Sequence, residues 1–492
     1  MLLEMSNAMS QTHVYDNPLV TRYASREMAE LWGPQRKFST WRRLWLALAE
    51  AQHELGMVAD DGKTPRISTT QLGELRAHLD DIDFATAEAY ERRLRHDVMA
   101  HIRTFAEVCP TAGGIIHLGA TSCYVTDNTD LILMREGLGW LRDRLIGVID
   151  ALARFAERWR DLPTLGYTHF QPAQLTTVGK RACLWCADFI LDLAEIEHRL
   201  DTLCFRGAKG TTGTQASFLA LFRGNHDKVR QLDRLVARKM GFEKVCPITG
   251  QTYSRKIDSQ VLDALGGIGQ SAHKYGTDLR LLAHEQEVEE AQEAEQVGSS
   301  AMAYKRNPMR AERMCGLSRF VMSLNISAAQ TAATQWLERT LDDSVNRRLT
   351  LPQSFLATDG VLRLALNITN GLTVNPEIIA RNVKHELPKM MTENILMEAV
   401  SRGGDRQELH ERIRQHSHAV TAHLKTGASG DDLIDRLRAD AAFAGVDFDA
   451  LAAHGTFVGR APQQVDEFLA QEVAPIRRRY GNLLGQQGDV SY

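Results

Sequence analysis

Two short strings in this 492-residue chain hold side chains suited to moving a proton. In TLGYTHFQPAQLTTVGK, Thr164 to Lys180, His169 stands in a loop between Gly166 and Pro172. An imidazole gives and takes a proton at neutral pH, although a plain surface histidine would leave the same trace. In GSSAMAYKRNPMRAER, Gly298 to Arg313, a Gly-Ser-Ser loop follows the acidic EVEEAQEAEQ and leads to a lysine and an asparagine before Pro308. A flexible bend between helices needs few of these donors, so this string is the most specific in the chain.

Three further strings hold groups able to bind an anion. RHDVMAH, Arg95 to His101, lies in a run that reads as helix, and a solvated helix face accounts for it equally well. HLGATSCYVTDNTD, His117 to Asp130, offers Thr121 and Ser122 as donors to a carboxylate; capping of the next helix by Asp127, Asn128 and Thr129 is the alternative. RGAKGTTGTQASF, Arg206 to Phe218, has glycines at 207, 210 and 213, which suit either N–H groups facing an anion or a tight bend.

Long helices must position these strings. Apolar residues recur at steps of three and four in Leu138, Leu141, Leu145, Val148, Leu152, Phe155 and Trp159. The same stripe returns in Phe189, Leu193, Ile196, Leu200 and Leu203, and again in Val261, Leu265, Ile268, Ala272, Tyr275, Leu279 and Leu282. Stretches around Leu317 to Trp336 and Phe355 to Leu372 raise the number to about five antiparallel rods. No stretch shows sustained strand alternation. The pattern predicts an all-α fold: a long central helical bundle over 122–374, flanked by smaller helical domains over 1–121 and 375–492, with a surface loop near Lys425 to Asp432.

With 58 Lys plus Arg against 62 Asp plus Glu, a net charge of -4 gives no global attraction to nucleic acid or anionic membrane, so an anionic ligand needs a local cluster. No basic leader and no apolar run of membrane-spanning length is read, which makes the cytoplasm the expected location. The 7 cysteines suit reduced thiols, and Cys183 and Cys186 read as core packing. The His-Glu pairs at His284, His385 and His410 lack a second histidine at zinc-ligand spacing, and no nucleotide-binding glycine fingerprint is present. Neither metal nor organic cofactor is expected.

GSSAMAYKRN fits the signature G-S-x-x-M-x-x-K-x-N, and on it the chain resembles the aspartase/fumarase superfamily. RLRHDVMAH, HLGATSCYV, LPTLGYTHFQPAQLTTVGKR, KGTTGTQASF, ITGQTYSRK and QWLERTLDDSVNRR are similar to the adenylosuccinate lyase family, in its animal form, from Arg22 past Arg348. The resemblance implies a homotetramer with a twenty-helix core, active sites shared between subunits, and cofactor-independent release of fumarate from adenylosuccinate and from succinylaminoimidazole carboxamide ribotide.

Carried over by residue, the resemblance makes His169 the general acid, held by Glu312, and Ser299 the base. Lys305 and Asn307 stabilise the carbanion, Thr121 and Ser122 bind succinyl oxygens, Thr168 and Gln251 lie nearby, and His96 is a second active-site histidine. Arg22, Tyr23, Arg339, Ser344 and Arg348 take the phosphate, Arg95 and Asp97 lie nearer the nucleotide, and Arg313 meets a substrate oxygen. The superfamily usually has proline where this chain has Ala303, which implies a more mobile Ser299 loop. Argininosuccinate lyase activity and a non-catalytic helical scaffold are the competing readings.

Overall fold

The computed structural model describes residues 15–293, 295–452 and 457–490. Before the bundle come α1 (Pro34–Glu54), α2 (Phe84–Leu94) and α3 (Asp97–Val108). Five long helices follow: α4 (Cys123–Arg158), α5 (Val178–Thr202), α6 (Lys256–His284), α7 (Met309–Ala333) and α8 (Asp342–Asn370). A hairpin, β1 (Pro163–Thr168) with β2 (Gln171–Thr177), joins α4 to α5. The two-residue strands β3 (Val288–Glu289) and β4 (Thr373–Val374) pair beyond α6 and α8. The helices α9 (Pro376–Ser401) and α10 (Arg406–Leu424) lead the last third.

The stripes read from sequence are the buried faces. Leu138, Leu141, Leu145, Val148 and Leu152 are fully inside, as are Val261, Leu265, Ile268, Ala272 and Tyr275, and all join one apolar core. Small residues let the rods approach closely: a methyl group on Gly276 of α6 would lie 2.8 Å from Cys315 Sγ on α7. Cys183 and Cys186 are buried on α5, where burial pushes the Cys183 thiol up to about 11 and Cys186 higher still, as packing residues rather than reactive ones. A separate apolar cluster, from Leu387 through Ile395, Leu409 and Leu437 to Phe448, fills the last third.

The rods alternate in direction, so the bundle has two ends. At one lie the start of α4, the end of α5, the starts of α6 and α8 and the end of α7; at the other lie the hairpin, the segment after α6 and the start of α7. The links are specific: Cys123 Sγ reaches Gln251 Oε1 at the first end, and Thr164 Oγ1 donates to Glu287 Oε2 at the second. At 1.5 Å per residue the 36 residues of α4 hold the ends about 54 Å apart.

Several local expectations are corrected. The hairpin was not expected, because a register shift between Leu165 and Tyr167 and the residues Gly166 and Pro172 erase strand alternation. The helical run through Arg95 breaks there: Arg95 closes α2 with a left-handed backbone, φ 53°, and His96 caps α3. Asp127, Asn128 and Thr129 are not caps but buried residues inside α4, whose start lacks a side-chain cap. The helix expected from Phe355 starts at Asp342, with Pro352 in its interior. The surface loop after Lys425 is as expected.

Candidate active site

At the first end of the bundle a cleft of about 660 Å³ is lined by Arg95, His96, Asp97, Ser122, Gln251, Arg339, Ser344 and Arg348, which are eight of the residues singled out in sequence. Helix ends place them. Because His96 caps α3, its Nδ1 accepts the Met99 N–H at 3.3 Å and must be unprotonated; its Nε2, 3.4 Å from Ser122 Oγ, is then the donor. Thr121 precedes Ser122 on the same turn and accepts from the Tyr124 N–H. Gln251 is held by donating to the Thr211 carbonyl at 2.9 Å, and Arg339 touches Cys123 Sγ. Arg348 on the first turns of α8 pairs with Asp97 at 2.8 Å.

The floor of this cleft is a buried ionic network. The Arg255 guanidinium donates two bonds to Asp127, both 3.1 Å, and a third to Asp343 at 2.6 Å. Arg347 pairs with Asp258 at 2.7 Å and Asp130 at 2.8 Å, and also donates to the Tyr253 hydroxyl. Burial pushes the Asp127 carboxyl up, but Arg255 and Arg347 outweigh it and hold the group below its ordinary value. The network ties α4, α6 and α8 together at the point where Ser122, Gln251 and Ser344 leave them, so it sets their spacing. Sequence reasoning missed these groups; the signal available was Asp343 and Arg347 at one-turn spacing inside LDDSVNRR.

The glycine string turns out to bind an internal anion. Gly207, Gly210 and Gly213 all have positive φ, and the bend they allow lets the Ala208 N–H donate to Asp233 at 2.7 Å while Lys209 Nζ pairs with the same carboxylate at 2.6 Å.

His169 stands at the other end of the bundle, at the hairpin tip. His169 and Phe170 have φ of 53° and 55°, the positive values that a two-residue turn matching strand twist requires. Thr168 and His169 are exposed there. The Ser299 loop lies at this end as well, between β3 and α7. Ser299 Oγ accepts N–H bonds from Ala301 at 3.3 Å and Met302 at 3.1 Å, and Asn307 Nδ2 donates to the Gly298 carbonyl at 2.7 Å. Lys305 and Ala303 are exposed, Glu312 sits on the first turn of α7, and Arg313 follows it. Among the described residues no hydrogen bond within the chain joins Glu312 to His169. Two amides on one hydroxyl oxygen favour its anionic form.

Arg22 and Tyr23 belong to neither place. Arg22 lines a second cleft, about 1330 Å³, between the N-terminal turns, α4 and the C-terminal tail. Tyr23 packs on Gly360, which lies 12 residues or about 18 Å along α8 from Arg348. One chain therefore brings together the cleft residues at one end of the bundle, while His169 and the Ser299 loop both lie toward the other end, away from that cleft.

Known proteins resemble this chain over nearly its whole length. A family described as "Lyase" matches residues 46–323, and one described as "Adenylosuccinate lyase C-terminus" matches residues 388–468. The adenylosuccinate lyase of Saccharomyces cerevisiae is 52% identical, covering 93% of this chain and 95% of its own. That of Schizosaccharomyces pombe is 48% identical over 96% and 98%, and that of Schistosoma mansoni 46% over 98% and 100%. Among solved structures, the 3-carboxy-cis,cis-muconate lactonizing enzyme from Pseudomonas putida aligns with a TM-score of 0.80 at 20% identity, covering 93% of this chain and 99% of its own. Fumarate lyase from Mesorhizobium sp. BNC1 aligns at 0.78 with 22% identity, covering 93% and 100%. At those identities the two structures speak for the fold, whereas the sequence relatives, nearly full length, settle the kinship: the chain belongs to the adenylosuccinate lyase family.

Proposed function

We propose that this protein is a carbon–nitrogen lyase that releases fumarate from adenylosuccinate, leaving AMP, and from succinylaminoimidazole carboxamide ribotide, leaving aminoimidazole carboxamide ribotide. The observation that carries the reading is the Ser299 hydroxyl oxygen receiving two backbone N–H groups. Ser299, as alkoxide, removes the proton beside the succinyl carboxylate, and the electron pair spreads into that carboxylate. Lys305 and Asn307 face the developing charge, with Thr121 and Ser122 on succinyl oxygens. The carbon–nitrogen bond then breaks, His169 protonates the departing nitrogen, and Glu312 holds its ring. His96 positions the leaving group, with Thr168 and Gln251 beside it. Arg22, Tyr23, Arg339, Ser344 and Arg348 take the phosphate, Arg95 and Asp97 the nucleotide, and Arg313 a substrate oxygen. Each step uses side chains of the protein itself.

The active site belongs to a homotetramer with a twenty-helix core. Supporting this are the two ends of the bundle, about 54 Å apart, that must meet at one substrate. Exposed apolar side chains supply a surface for assembly: Trp336 at 75% and Leu337 at 98%, followed by Leu341, Val345 and Leu349. The domain division 1–121, 122–374 and 375–492 and a cytoplasmic location complete the proposal. Among the described residues no helix is long and apolar enough to cross a membrane.

Fumarate release is measured on adenylosuccinate and on argininosuccinate. The expected result is turnover of the first alone, with Ser299→Ala and His169→Ala each lowering kcat by about 10²–10⁴-fold at unchanged assembly. Turnover of argininosuccinate alone, or normal rates in both variants, refutes the assignment; a scaffold turns over neither compound.

A further inference from the structure

Lys37, in the first turn of α1, lines the same cleft as Arg95 and Arg348 and has no role in the scheme above. Its ammonium stands 5.2 Å from the ring centroids of both Phe38 and Trp41. Among the described residues it makes no ion pair, and the carboxylates nearest to it are already engaged: Asp130 with Arg347 and Asp97 with Arg348, each at 2.8 Å. Of the cations lining the cleft, Arg255, Arg347 and Arg348 have carboxylate partners, while Lys37, Arg95 and Arg339 have none among the described residues. Burial pushes the Lys37 ammonium below its usual range; Asp130, Asp97 and Glu91 oppose this and Arg348 adds to it. An ammonium half out of water, resting on aromatic faces beside another cation, gains from an arriving anion more than an exposed lysine would.

We propose that Lys37 is a further substrate-binding residue that closes, with Arg348, on the phosphoryl group of the nucleotide. The inference rests on the nucleotide-lyase reading above. A phosphoryl group has oxygens enough for a guanidinium fork and a point-charge ammonium at once. The phosphoryl group is preferred to the succinyl carboxylates because Arg348, which lines the same cleft and acts electrostatically on Lys37, is assigned to the phosphate in the reading above, whereas the succinyl oxygens are assigned there to Thr121, Ser122 and the Ser299 loop.

The test is calorimetric titration of the assembled wild-type protein, Lys37→Met and Lys37→Arg with AMP, adenosine and fumarate. Lys37→Met is expected to weaken AMP by about 10-fold or more, with adenosine and fumarate within about 2-fold and Lys37→Arg recovering most of the loss. KM for adenylosuccinate rises by the same factor while kcat holds. Unchanged AMP binding overturns the proposal. An equal loss for adenosine overturns it too, by making Lys37 a packing residue, and a loss for fumarate moves it to the succinyl side. Wild-type protein that fails to bind AMP at all removes the nucleotide reading itself, an outcome distinct from a variant that binds as well as wild type.

Discussion

Replacing His96 by alanine in one preparation and His169 by alanine in another, then letting the two exchange subunits, separates a site built by one chain from a site built by several. The hairpin bearing His169 starts just past the end of α4, whose 36 residues separate it from the turn bearing Ser122. A strand of 6 residues reaches back at most about 20 Å along a rod of about 54 Å. A shortfall of roughly 30 Å remains, so His169 and His96 of one chain cannot meet one substrate. If a partner supplies the hairpin, an equimolar random mixture gives half the clefts an intact His96 and half the incoming hairpins an intact His169. About a quarter of the sites are then whole, and about a quarter of wild-type fumarate release returns although each preparation alone is nearly inert. Recovery follows the product of the two mole fractions and peaks at equal amounts. Were both histidines drawn from the same chain, every site would carry one defect and mixing would restore nothing. Zero activity in tetramers shown by two affinity tags to contain both chains refutes the reasoning.

The remaining predictions concern stability. Asp192 on α5 is buried with Oδ2 lacking a partner among the described residues, and burial, opposed by the Ser271 hydroxyl and reinforced by Asp188, pushes its pKa up to about 7. A folded pKa above the unfolded value of 3.8 means its contribution is fully present below about pH 4 and is lost as pH rises through 7. Asp192→Asn is therefore expected to raise Tm at pH 8, by up to about 4 kcal/mol of stability, and to leave it nearly unchanged at pH 4; the same shift at both pH values counts against it. Arg255→Met strands Asp127 and Asp343, each 1% exposed in its side chain, and is expected to cost about 3–5 kcal/mol, read as a lowered Tm in scanning calorimetry. An unaltered Tm would mean that the network is not what spaces α4, α6 and α8.

Sequence periodicity by itself determined the rods. The leucine stripes of α4 and α6 are one-sided over many turns, and burial of an apolar face is the only stable use of such a stripe. It also marked the chemistry-bearing strings, because a Gly-Ser-Ser turn ahead of Lys305 and Asn307 is costly unless its donors have a use. The tertiary structure decided what spacing along the chain does not encode. Arg95 reads as helical until its left-handed backbone shows a junction, since a single φ angle leaves no mark on periodicity. Asp127 reads as a cap until Arg255, 128 residues away in the chain, is seen to hold it. Which end of a rod of about 54 Å carries each string depends on chain direction in the bundle, and that followed from packing alone.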